Sequence, residues 1–193
     1  MRLVRRFLMG LVILIVLLAA LVGGGYYYLS HRAFPQVDGT LPVSGLTTPV
    51  SIIRDKSGIP HIYASNLHDL FLAQGYVQAQ DRLWEMEIYR LGFSGRTSEL
   101  SPSISNLKQD KFVRTIGFRR SAEADLAAID PKSRATLQAY ADGVNAFITT
   151  HPNNLPIEFA IVGLFGSKGL NYKPDLWTPL DTLQWAKGLG WNL

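Results

Sequence analysis

Residues 52–66, IIRDKSGIPHIYASN, run directly into residues 67–100, LHDLFLAQGYVQAQDRLWEMEIYRLGFSGRTSEL, and the reading of these two pieces decides the fold. The first has the order strand, turn, strand: Val50, Ile52 and Ile53 precede Asp55-Lys56-Ser57-Gly58, and Ile59, Ile62 and Tyr63 follow. Asp hydrogen-bonds its own backbone in such turns and Gly accepts positive φ, so a hairpin is predicted. In the second piece Leu70, Ala73, Val77, Trp84, Ile88 and Leu91 recur at helical spacing. Gln78, Gln80, Asp81 and Arg82 sit in the middle of that helix. Because an unpaired buried charge costs several kcal/mol, this cluster must be solvated or mutually hydrogen-bonded.

Arg54 to Glu99 resembles the amino-terminal region of the penicillin acylase (penicillin amidase) family of N-terminal nucleophile hydrolases, through RD…GIPHI.A, GYV.AQDRL..ME and SGR.SE in that order. Further blocks are similar: DKFVRTIGFRRSA at 110–122, DPKSRATLQAYADGVNAFI at 130–148, LPIEF at 155–159 and YKPDLWTPLDTLQWAKGLGWNL at 172–193. The resemblance covers roughly residues 45–193, with one departure, Leu91 where the family pattern has a second basic residue. It implies an α+β fold, this chain being the helix-rich α-chain part of a four-layer αββα sandwich preceded by a transmembrane or signal helix. From periodicity alone only a helix-rich piece with one hairpin is legible.

Outward from that stretch, the chain divides into residues 1–32, a signal peptide or signal anchor; 33–45, a linker; and 46–193, the α-chain-like region. Arg2, Arg5 and Arg6 precede Phe7 to Val22, which lacks any charge, and Gly23-Gly24-Gly25 and Tyr26-Tyr27-Tyr28 follow. As a helix, Phe7 to Leu29 spans about 34 Å, enough for a bilayer core. The arginines stay cytoplasmic and place the rest outside. The length and the tyrosines favour a retained anchor in a bacterial inner membrane; Ala19 and Ala20 offer sites for cleavage, which would leave a periplasmic or secreted protein.

The net charge of +4 belongs to this segment. Arg2, Arg5, Arg6 and Arg32 are its only charges, and they leave as many Lys and Arg as Asp and Glu, 15, in the rest. The neutral remainder gives no basis for nucleic-acid binding. With no cysteine there is no disulfide, thiol nucleophile or thiolate metal site.

Beyond a Pro- and Gly-rich entry at 30–49, where Leu41, Val43 and Leu46 form an expected edge strand, helices are predicted at Leu107 to Val113 and Ser121 to Ile129. Asp130-Pro131 caps the helix that Leu137, Tyr140, Ala141, Val144, Phe147 and Ile148 define, ending before His151-Pro152. Asn153 to Lys173 reads as mostly irregular, and Thr178-Pro179-Leu180-Asp181 opens a last helix to about Gly188. The apolar end at Leu193 reads as part of a longer precursor.

Amide hydrolysis needs a nucleophile, a base and donors for the oxyanion. No residue here is assigned as catalytic: the family's serine nucleophile, whose own α-amino group is the base, is expected beyond Leu193 on a second chain. His61, His68 and His151 read as structural or solvated, and no Gly-x-Ser-x-Gly occurs. Glu85 and Glu87 do not share a helix face; Asp81 and Gln78 read as a polar network, Arg82 as paired with a carboxylate, and Glu85 as paired with Arg90 or solvent.

By the resemblance, Leu189, Asn192 and Leu193 line the substrate acyl pocket, with Trp191 beside them; plain core packing is the alternative for each. The resemblance also implies calcium, with ligands beyond Leu193 and on the second chain, and no organic cofactor. Partners are that β chain, an acylated amine such as a β-lactam or acyl homoserine lactone, and the membrane through residues 7–29. The opposing reading is a truncated, non-catalytic, membrane-anchored interaction module.

Overall fold

The computed structural model describes residues 2–31, 34–169 and 172–191. The first helix, α1 (Arg2–His31), continues through Gly23-Gly24-Gly25. Its stretch Val4–Tyr28 has a mean hydropathy of 2.9 and none of it is buried, so it is long and apolar enough to cross a membrane. Residues 34–50 form no strand, but Leu41 and Val43 pack on the core.

The hairpin forms as predicted, with β1 (Ser51–Arg54) antiparallel to β2 (Pro60–Tyr63) and Ile52 opposite Ile62. Asp55 Oδ1 accepts the N–H groups of Ser57 (2.8 Å) and Ile59 (2.9 Å), and Gly58 takes φ +79° at the turn. Pro60, with no N–H to donate, stands at the first position of its strand.

Helix α2 (Leu67–Ser94) starts at Asn66, whose side chain accepts the Asp69 N–H, and ends at left-handed Gly95. Inside it Arg82 is non-helical (φ −142°, ψ 27°), so two helical segments meet at a kink. The polar cluster serves that kink. Arg54 reaches from β1 with a fork onto Asp81 (2.8 and 2.9 Å) and donates to Gln80 (3.1 Å), while Arg82 pairs with Glu85 (3.0 Å). Gln80, rather than Gln78, is thus the amide in the network.

The buried stripe of α2 runs through Leu72, Tyr76, Ala79, Leu83, Met86 and Arg90. Ile88, expected on the stripe, is 41% exposed. Ala73, Val77 and Leu91 of the predicted stripe are buried beside these residues, while Leu70 and Trp84 are half-buried at its edge.

After a 3-10 turn (Thr97–Glu99) come α3 (Ile104–Ile116), α4 (Phe118–Ala128) and α5 (Pro131–Thr150), the last capped by Asp130 onto the N–H groups of Lys132 and Ser133. Asn153 to Lys173 is mostly irregular among its described residues, but α6 (Ile157–Phe165) occupies its centre. Apart from Glu158 in its first turn that helix is apolar on every side, which leaves little amphipathic period to detect; Phe159, buried against Trp84 (ring centroids 5.1 Å), holds it. Finally α7 (Pro179–Trp191) runs three residues past the predicted end.

The core lies between α2 and α5. A Cβ on Gly75 would fall 2.0 Å from the Tyr140 carbonyl oxygen, and one on Gly143 would fall 1.9 Å from that of Leu72. The two glycines therefore let the helix backbones touch, the geometry that small residues permit at close crossings. Around the crossing Tyr76, Leu83 and Met86 meet Val144, Phe147 and Ile148, with Leu155, Phe159, Tyr172 and Trp177 closing the cluster. Each such side chain contributes about 1.5–3 kcal/mol by its burial. Strands occur among the described residues only in this hairpin, so the four-layer sandwich is not seen in this chain.

Candidate functional site

The entry to α7 is pinned before the helix starts. Asn145 on α5 donates to the Trp177 carbonyl (2.9 Å) and accepts the Trp177 N–H (2.7 Å), while the Trp177 indole donates to Thr182 (2.8 Å). Thr178 and Asp181 cap the first turn: the Thr178 N–H and hydroxyl both donate to Asp181 (2.8 and 2.6 Å).

Arg90, only 4% exposed, supplies the second pin. It pairs with buried Glu87, donates to the Asp175 carbonyl (2.9 Å) and lies over the Trp177 ring at 5.9 Å. Tyr172 donates its hydroxyl to Glu87. Burial, together with that carboxylate, pushes the Tyr172 hydroxyl well above its ordinary range. Glu85 is thereby corrected as a partner for Arg90: it pairs with Arg82, because Glu87 is on the inward face. A buried ion pair of this kind holds geometry more than it adds stability, while loss of one partner strands a charge.

Along α7 an aromatic row follows. Trp185 meets Tyr89 (6.1 Å), Tyr89 stacks on Phe93 (5.7 Å), Phe93 meets Phe118 edge-on (6.0 Å), and Phe118 meets Trp191 (6.0 Å). Lys187 reaches Asp125 on α4 (2.5 Å). Leu189 is 41% and Trp191 61% exposed, so the end of α7 is presented at the surface. Asn192 and Leu193 lie outside the described residues.

The other charged nodes are scaffold. Asp69 is wholly buried; burial pushes its carboxyl up, but hydrogen bonds from Thr47, Thr48 and Asn66 more than reverse this and hold it far below the usual range. Burial likewise raises Asp110, and bonds from Ser98 and Thr97 bring it below its ordinary value. The histidines do not converge. His61 lies 3.6 Å from Asp55, His68 is 3.1 Å from Asp69, and His151 stacks on Phe147 at 4.4 Å. Among the described residues no three His, Cys, Asp or Glu side chains gather as metal ligands, so this part of the chain does not fit calcium, which takes six to eight oxygens.

Residues 49–193 match the penicillin amidase family model. The chain belongs to that family. It is 35% identical over 158 residues to the penicillin acylase 2 proenzyme of Pseudomonas sp. (strain SE83), covering 82% of this chain and 19% of the relative. To the acyl-homoserine lactone acylase QuiP of Pseudomonas fluorescens (strain Pf0-1) it is 35% identical, over 77% of this chain and 17% of the relative. The penicillin G acylase of Escherichia coli is 37% identical over 70% of this chain and 15% of its own length. This penicillin amidase family chain therefore spans under a fifth of the curated relatives it matches. A solved structure, the thermostable penicillin G acylase from Alcaligenes faecalis, superposes with a TM-score of 0.64 at 28% identity, over 75% of this chain and 74% of the solved chain.

The sequence reading missed the pairing of Glu87 with Arg90, the role of Asn145 and the Phe93 contact. Only the first left a trace, as charges three apart in a hydrophobic stretch.

Proposed function

We propose that this chain is the N-terminal part of a self-processing acylase that hydrolyses linear amides. The family match over residues 49–193, with relatives named as acylases of penicillin and of acyl-homoserine lactones, carries this reading. A relative named a proenzyme and a solved chain comparable in length to this one support division of the precursor into two chains.

The chemistry is that of an N-terminal nucleophile. A serine at the start of the second chain attacks the amide carbonyl carbon while its own α-amino group, with a pKa near 8, takes the hydroxyl proton. The tetrahedral intermediate collapses as that proton passes to the departing amine, leaving an acyl ester. Water attacks the ester, the α-amino group again moves the proton, and the acid leaves.

Within this chain Leu189 on α7, and Asn192 and Leu193 further along the sequence, line the acyl pocket, with Trp191 beside them. An apolar wall with few polar groups suits an aryl or alkyl acyl group. Calcium ligands belong to parts of the protein other than the described residues. The helix α1 holds the domain on the outer face of an inner membrane, with Arg2, Arg5 and Arg6 inside.

Expression of the full-length gene tests the reading. Mass spectrometry is expected to find two chains, and the matured protein to release amine from acyl amides. Changing the serine at the new terminus to Ala is expected to leave one unprocessed chain without activity; an uncut chain that still hydrolyses acyl amides overturns the mechanism.

A further inference from the structure

The contact between α2 and α7 at Phe93 and Gly188 has a consequence for substrate choice, one that rests on the acylase reading above. A Cβ placed on Gly188 would stand 2.2 Å from Phe93 Cδ1 and 2.4 Å from Cε1 and Cγ. The α7 backbone thus rides directly on the phenyl ring. Tyr89 stacks on the half-buried ring and Phe118 abuts it edge-on, so two neighbours hold it against α7.

Upstream, α7 is fixed at Trp177 and Thr178 by Asn145 and the Asp181 cap. With one end clamped, and Lys187 and Trp191 held against α4, the thickness of the Phe93 ring sets how near the last turn stands to α2. Gly188 is buried against α2, while its neighbour Leu189 is exposed. Movement of that turn toward α2 withdraws Leu189 and Trp191 from the exposed side, and movement away advances them.

We propose that Phe93 is a positioning residue for acyl-chain selectivity: without touching substrate, it gauges the depth of the acyl pocket through Gly188. A smaller residue lets the end of α7 settle toward α2 and deepens the pocket. A larger residue at 188 does the opposite.

The test uses the matured full-length enzyme and a series of acyl p-nitroanilides from four to twelve carbons. Gly188→Ala is expected to shift the preference toward shorter chains by about tenfold in relative kcat/KM, the scale of one misplaced methylene, with the change mainly in KM. Phe93→Leu is expected to shift it toward longer chains, and the double variant to return near the wild-type profile. An unchanged profile in Phe93→Leu, or an equal loss of kcat for every chain length, overturns the proposal. Should Gly188→Ala not mature, Phe93→Leu and the double variant decide. A wild-type enzyme that hydrolyses none of the series removes the acylase reading and this inference together, an outcome distinct from any change between variants.

Discussion

Asp69 shows how a charge becomes part of a fold. It accepts both backbone N–H groups and both hydroxyls of Thr47 and Thr48, at 2.7–2.9 Å, and the Asn66 amide at 2.7 Å. Its folded pKa lies far below the ordinary 3.8, so the unfolded state binds the proton more readily. Its contribution is complete above that ordinary value and is lost progressively as pH falls toward the depressed one. Glu99, lowered to about 2 by Arg96 with Lys168 adding to it, acts in the same direction but from a half-buried site. We expect Asp69→Asn to lower the thermal midpoint at pH 7 and to flatten the acid limb of stability below about pH 4, measured by circular dichroism. A steep acid limb retained in the variant would assign acid sensitivity elsewhere.

Between elements, the α2 and α5 crossing depends on two absent side chains. Gly143→Ala places a methyl carbon against the Leu72 carbonyl, and helix propensity, which favours Ala by about 1 kcal/mol, opposes the clash. The clash dominates, since overpacking of a dense core costs about 1–3 kcal/mol or more and here the neighbour is rigid backbone. Denaturant melts are expected to show a net loss of about 2 kcal/mol or more for Gly143→Ala, against a gain of up to about 1 kcal/mol for Gly92→Ala, which lies in α2 and meets nothing within 4 Å. Such positions explain which parts of the fold the sequence reveals. The hairpin and α5 are legible because their information is local: Asp55 and Gly58 make the turn, and Asp130-Pro131 opens the helix. The α6 helix is not, because beyond Glu158 its residues are apolar on every face and show no period. Gly75, Gly143 and Gly188 read as weak points in helices until the surface facing them is known. The Phe93 contact joins residues nearly a hundred apart, and nothing local marks it.

For the whole molecule, the unpartnered surface matters as much as the core. Ile53, Ile59 and Tyr63 on the hairpin and Leu164 and Phe165 on α6 are each more than half exposed. Apolar groups collected this way mark interaction surfaces, and a two-stranded hairpin is marginal unaided. Residues 34–193 produced alone are therefore expected to self-associate in size-exclusion chromatography, and the Ile53→Thr, Phe165→Ser double variant to elute closer to monomer; association unaffected by the pair would locate it on other surfaces. The Asp69 node has a mechanical side as well. Any tension on α1 passes through residues 34–46 and arrives at Thr47 and Thr48 before it can reach β1. Their bonds to one buried carboxylate load in parallel, so a pull on α1 that has freed Leu41 and Val43 from the core meets Asp69 before it can unzip the hairpin.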